Sequence, residues 1–166
     1  MTSIIKVNEI QDAGGNTILS SNGTGTFTTN FTTGKVLQVV GATDSTQRST
    51  TSGTFVTASN TLSVSITPSS ASNKIFIAVS SHAQGGGGNW SFYYTIYRNA
   101  TDLDSGGNGM QRIYTSLYVP MAMSILDSPN TTSATTYQVY MRSNGGTVYL
   151  NSGNLLGTIT AMEIAG

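Results

Sequence analysis

Cysteine is absent from this sequence, which excludes disulfides, zinc knuckles and thiol nucleophiles at once. Charge is nearly as scarce. Lys, Arg, Asp and Glu make up 8% of the chain, seven of each sign, where an ordinary soluble domain carries about 25%. A net charge of zero with no basic run offers nothing to a phosphate backbone, so no nucleic acid partner is expected. No apolar stretch approaches the roughly 20 residues of a membrane span, and no basic head with an apolar core marks a signal peptide. Membrane insertion is therefore not expected. One His and seven scattered carboxylates leave few ways to assemble acid/base chemistry. The expectation is a protein that is not an enzyme and holds no cofactor and no metal.

Small uncharged polar residues take the place of charge: 22 Ser, 26 Thr, 13 Asn and 19 Gly occupy 80 of the 166 positions. Eight Tyr, five Phe and one Trp accompany them, with only three Pro. Together with abundant Val and Ile this is a β composition rather than a disordered one. Sheets so poor in charge lack the usual guard against edge-to-edge pairing. Their edges are expected to be covered by closure of the sheets or by self-association.

Two segments differ in texture. Residues 1–34 carry short apolar alternations broken by Gly14-Gly15 and Asn22-Gly23, both strong turn signals. Their few large apolar side chains cannot close a core alone. The segment is either a flexible tail or an attachment and stalk segment packed against copies of itself. Residues 35–166 read as the head domain, with longer strands regularly punctuated by turn clusters. Strands are predicted at 35–42, 53–58, 61–67, 74–82, 89–99, 111–119, 120–127, 135–143, 147–151 and 157–165. Leu62, Val64 and Ile66 share one face, as do Met121, Met123 and Ile125, and Tyr137, Val139 and Met141. Strands around Phe76 and around Tyr93 and Tyr94 are apolar on both faces, so the second face needs a covering partner. No helical run of ten residues is legible. The fold class is all-β, a jelly-roll β-sandwich.

Candidate chemistry is thin. His82 is placed at a strand end before Gln84 and four glycines, with no nucleophile or second ligand at a known spacing. The glycine run is not a Walker loop, because no Gly-Lys-Ser/Thr follows it, and it reads as a mobile loop able to adapt to a ligand. Asp102, Asp104 and Asn108 resemble the opening of a calcium loop, but the closing Glu of an EF-hand is missing. A turn rich in Asp and Gly is the plainer reading, with calcium left open. Trp90, beside the glycines, could stack on a sugar ring, as could some of Tyr93, Tyr94 and Tyr97. Receptor contact is accordingly placed on His82, Gln84, Asn89, Trp90, Asp102, Asp104 and Asn108.

The stretch Ser3-Ile4-Ile5-Lys6-Val7-Asn8-Glu9-Ile10, continued by Asp12-Ala13-Gly14-Gly15-Asn16 and Ile18-Leu19-Ser20-Ser21-Asn22-Gly23, resembles the opening of tailed-bacteriophage fibre and appendage proteins, those of cyanophages and marine phages especially. The blocks Gly34-Lys35-Val36-Leu37-Gln38-Val39-Val40, Ser72-Asn73-Lys74-Ile75-Phe76-Ile77 and Ile159-Thr160-Ala161-Met162-Glu163-Ile164 are similar too. The resemblance implies a virion location and a homotrimer: an N-terminal attachment or stalk segment, then a head loosely like the tumour-necrosis-factor and C1q folds. It implies that residues 1–30 meet other tail or baseplate proteins and that the head contacts host surface glycans. Most such fibres have a longer shaft, so this chain reads as a short component or an adaptor. In the trimer Ile4, Ile5, Val7, Ile10, Ile18 and Leu19 would be buried between N-terminal segments. Phe76, Tyr93, Met162 and Ile164 would lie at or near the three-fold axis. Competing readings are a capsid decoration or head-fibre protein and a lectin-like or C1q-like binding module, with depolymerase activity last.

Overall fold

The computed structural model describes residues 7–21, 23–24, 27–29, 34–104, 106–114 and 116–166. Ile4 and Ile5 lie outside the described residues. In the N-terminal segment β1 (Glu9–Gln11), β2 (Thr17–Ser21) and β3 (Phe27–Thr29) make an antiparallel sheet of their own, in the order β1-β2-β3. Asp12 builds the first turn, its carboxylate accepting the backbone N–H groups of Gly14 and Asn16. Gly15 follows at φ +80°, a conformation that glycine adopts freely.

The rest of the chain is a double-sheet sandwich. Its strands are β4 (Val36–Asp44), β5 (Arg48–Thr50), β6 (Ser63–Ile66), β7 (Lys74–Gly85), β8 (Phe92–Arg98) and β9 (Thr101–Asp102). They continue with β10 (Gln111–Ile113), β11 (Val119–Asp127), β12 (Thr135–Ser143), β13 (Val148–Leu150) and β14 (Gly157–Ile164). One sheet runs β4-β14-β7-β11, with the β13-β5 pair continuing from the far end of β7. The other runs β6-β12-β8-β10, with β9 on the same side of β8 as β10. Leaving out the short β5, β9 and β13, eight strands remain. They stand as first, eighth, third and sixth in one sheet and second, seventh, fourth and fifth in the other. That is the double Greek key of a jelly roll.

Alternation drives this packing. Ile75, Ile77 and Val79 of β7 point inward to meet Tyr137, Val139 and Met141 of β12, with Leu62, Ile96 and Ile159 also fully buried. Polar groups tie the sheets at specific points. The Tyr94 hydroxyl donates to the carbonyl of Tyr149 at 2.6 Å. Asp127, at the end of β11, receives Arg98 at 2.9 and 3.0 Å and the Tyr137 hydroxyl at 2.7 Å. Burial first, and then the Asp127 carboxylate, push the Tyr137 phenol far above its ordinary range, so it remains a donor. Tyr137→Phe is expected to lower stability by about 1.5 kcal/mol, the value of a hydrogen bond to a charged acceptor, measurable as a shift of the urea midpoint.

Several predicted strands change. The segment 53–58 is no strand: it meets β12 through a single bridge at Val56 and Met141, and Ala58 and Ser59 take φ values of 48° and 58°, which end any ladder. The predicted strand 111–119 stops at Ile113, because β10 and β11 belong to different sheets and the chain must cross between them. The strand predicted to end at His82 continues to Gly85, because Gln84 and Gly85 still pair with Tyr149 and Val148 of β13. The short polar strands β5 and β9 carry no alternation long enough to read.

Candidate functional site

The outer face of the β4-β14-β7-β11 sheet is nearly free of charge. Cross-strand register places Val39, Met162, Phe76 and Leu126 in one row across all four strands. Ile164 stands beside that row, opposite Val36 on one side and Lys74 on the other. Beyond it the rows hold only Gly41, Thr160, Ala78 and Ser124, then Thr43, Thr158, Ser80 and Ala122. Val39 is 56% exposed and Leu126 50%, whereas Phe76, Met162 and Ile164 are half-buried by their neighbours. Three of the residues assigned to the trimer axis, Phe76, Met162 and Ile164, thus share one face. Val39, Leu37 and Leu126 enlarge it. Sequence reading missed their role because Leu37 and Val39 lie in a strand apolar on both sides and Leu126 reads as the back of a core strand.

Tyr93 lies elsewhere, on the outer face of the opposite sheet, and it is covered within its own chain. The Arg142 guanidinium sits 4.0 Å from its ring centre and 5.0 Å from that of Phe55. Phe55 also tilts against Tyr97 at 6.2 Å, and Tyr97 stacks on Tyr140 at 4.0 Å. Thus the loop carrying Phe55 supplies the cover that was expected from a neighbouring subunit. In the N-terminal sheet Val7, Ile10 and Ile18 are exposed and Leu19 is half-buried, so one copy alone leaves this apolar surface largely open.

The assigned receptor residues do not converge. His82 is in mid-strand, opposite Pro120 on the uncharged face, and its buried Nδ1 has no hydrogen-bond partner. Gln84 bridges two loops, donating to the Ser116 carbonyl at 2.9 Å and accepting from the Ser152 hydroxyl at 2.7 Å. Its amide therefore serves the fold. Asn89 is exposed in the turn before β8. Trp90, 43% exposed, packs its indole against Gly88, Gly145 and Gly146, where a Cβ on any of the three would collide with the ring. The four-glycine run is thereby structured: Gly85 is strand, Gly86 donates to the Thr147 carbonyl at 2.7 Å, and the remainder turns beneath Trp90.

Asp102 pairs with Tyr97, seven positions and about 23 Å of extended chain from Trp90. Its Oδ1 accepts from the Thr95 hydroxyl at 2.6 Å and from the Asp104 N–H at 3.0 Å. Asp104 accepts the N–H groups of Asn108 and Gly109 at 2.7 Å each and that of Gly106 at 3.3 Å. Burial alone would raise the Asp104 carboxyl, but these three donors outweigh it and hold it below the usual carboxylate range. The loop's own amides thus engage the Asp104 carboxylate. Among the described residues no three His, Asp or Glu come together as a metal site.

Sequence reading missed Phe55 and Arg142 as the cover of Tyr93. The signal was available in the alternation of 135–143, which sets Arg142 on the outward face with Tyr140.

No protein-family model matches the chain, and no curated protein matches it. Solved structures similar to it include the VP2 subviral particle of infectious bursal disease virus, 13% identical, with a TM-score of 0.44 over 88% of this chain and 41% of that one. The Gt strain of the same virus is similar at 12% identity and a TM-score of 0.42, over 86% and 41% of the two chains. Its T13 particle is similar at 11% identity and 0.43, over 87% and 40%. The chain spans about two fifths of the length of these viral proteins.

Proposed function

We propose that this chain is a non-enzymatic virion structural protein, a short trimeric tail-fibre component whose heads associate through the uncharged β4-β14-β7-β11 face and contact the host surface. The carrying observation is that face: a cross-strand apolar row of Val39, Met162, Phe76 and Leu126 beside a field of Gly, Ala, Ser and Thr. Such a surface, with Lys74 at its edge, has little charge to complement a charged partner, and its small side chains permit close approach of another flat sheet. Apolar anchors at the centre of a contact supply most of its energy. A second copy of the chain presents matching chemistry. The exposed Val7, Ile10 and Ile18 of the N-terminal sheet support the same reading, since copies wound together would cover them.

Sedimentation equilibrium tests it. The protein is expected to sediment as a trimer at micromolar concentration, and Leu126→Lys, at a solvent-exposed position, is expected to dissociate the heads while they remain folded. A wild-type protein that is a folded monomer under those conditions would overturn the self-association. Labelling on intact particles then distinguishes tail from head.

A further inference from the structure

The outer face of the second sheet carries two cations that the fold leaves unanswered. Arg112 of β10, Tyr93 of β8 and Arg142 of β12 stand in one cross-strand row. Among the described residues neither arginine has a salt bridge or a hydrogen-bond acceptor. Six of the seven carboxylates are engaged elsewhere, and Glu9 stands in β1 of the N-terminal sheet. Asp44 and Asp127 hold Arg48 and Arg98. Asp12, Asp104 and Glu163 face donors of their own surroundings. Asp102 lies opposite Tyr97, about 13 Å along the strand from Tyr93, and accepts from Thr95. In a chain with seven basic residues in all, two unpaired guanidiniums on either side of one tyrosine are a local excess.

The surroundings are aromatic. Tyr93 and Phe55 hold the Arg142 guanidinium between them, and Phe55 leads on to the stacked pair Tyr97 and Tyr140. Stacking fixes the plane of Arg142 in advance, so its N–H fork is oriented before any ligand arrives. A planar carboxylate suits that fork, because it accepts two parallel N–H bonds. The half-buried rings of Tyr93 and Phe55 beside it leave part of their apolar surface for a saturated ring.

The geometry points to a binding site for an acidic sugar, a pyranose carrying a carboxylate, with Arg142 and Arg112 receiving the anion and Tyr93 and Phe55 meeting the ring. This deepens the host-contact half of the proposed function and rests on it, and it is independent of self-association. The site differs from the Trp90 turn, and the end of the Asp102–Gly109 loop borders it, with Gly109 against Phe55 and Tyr93.

Titration calorimetry with the full chain tests it, using a galacturonate oligosaccharide, its neutral galactose counterpart and dextran sulfate. The galacturonate oligomer is expected to bind and the neutral sugar not to. Arg112→Gln, at an exposed position, and Arg142→Lys, which keeps the charge but loses the fork, are each expected to weaken binding about tenfold. Absence of galacturonate binding at millimolar concentration would overturn the site. So would equal binding by both variants, equal binding of the neutral sugar, or binding of dextran sulfate alone, which is general attraction of a polyanion. Sedimentation of the same samples separates the two claims: trimers that bind no acidic sugar refute this site and leave the assembly standing.

Discussion

Glu163→Ala is expected to destabilise the jelly roll by about 4 kcal/mol, because it removes the acceptor of four hydrogen bonds at once, the buried Asn73 amide's among them. Glu163, on the inward side of β14, is fully buried with no cation beside it. Its Oε1 accepts from Asn73 Nδ2 at 2.6 Å and from the Ser69 N–H and hydroxyl at 2.6 and 2.8 Å. Its Oε2 accepts from Gln38 Nε2 at 2.6 Å. One carboxylate thereby joins β4, the turn before β7 and β14 at the end of the sandwich. Burial pushes this carboxyl up, but Asn73, Gln38 and Ser69 together outweigh it and bring it from 4.5 down to about 2.

A depressed folded-state pKa contributes stability that is fully present above the unfolded value of 4.5. That contribution is lost as pH falls through the folded value near 2. It amounts to about 3 kcal/mol. Urea denaturation between pH 5 and pH 2 is expected to show this loss in the wild type. Glu163→Gln has no charge to titrate, and its amide N–H₂ faces donors. It should start less stable and fall less steeply over that window. An acid slope identical to the wild type's would refute the assignment.

Gly85→Val is the second large effect, with an expected loss of about 3 kcal/mol or more from forced overpacking. A Cβ built on Gly85 falls inside the ring of Phe92, which is only 1% exposed and has no space to retreat. Gly85 is the inward-facing residue where β7 passes to β13, so moving the backbone would break its pairing with Val148. Gly41→Ala is the comparison. There the new carbon makes ordinary contacts, 3.4 Å from the Ile159 carbonyl and 3.7 Å from the Thr160 hydroxyl. It should change the urea midpoint little. Equal midpoints for wild type and Gly85→Val would show that the Phe92 packing is not as described.

Much of the sandwich was legible because period-2 alternation marks a strand with one buried face. The strand over 135–143 was read at its full length for that reason, and Val64, Ile66, Val139 and Met141 were all read inward. Both faces of β7 and β8 carry apolar residues, so alternation could not say what covers the outer one. For Tyr93 the answer is the Arg142 guanidinium, with Phe55 on it in turn, from a segment that reads as a strand and is a loop. The receptor residues were chosen for chemical type near glycines. In the fold Gln84 and Asp104 use their polar groups to build loops, and His82 stands within β7 whereas Trp90 lies in the turn before β8.

By itself the sequence determined that this protein is all-β and that its surface is poor in charge. Those properties follow from composition and local period, which survive any arrangement of the strands. Only the tertiary structure decided which side chains become neighbours. Register across β4, β14, β7 and β11 assembled the apolar row from residues up to 123 positions apart, and register across β10, β8 and β12 set two arginines around one tyrosine. Cross-strand pairing is non-local, and a one-residue slip would turn each of these side chains to the other face.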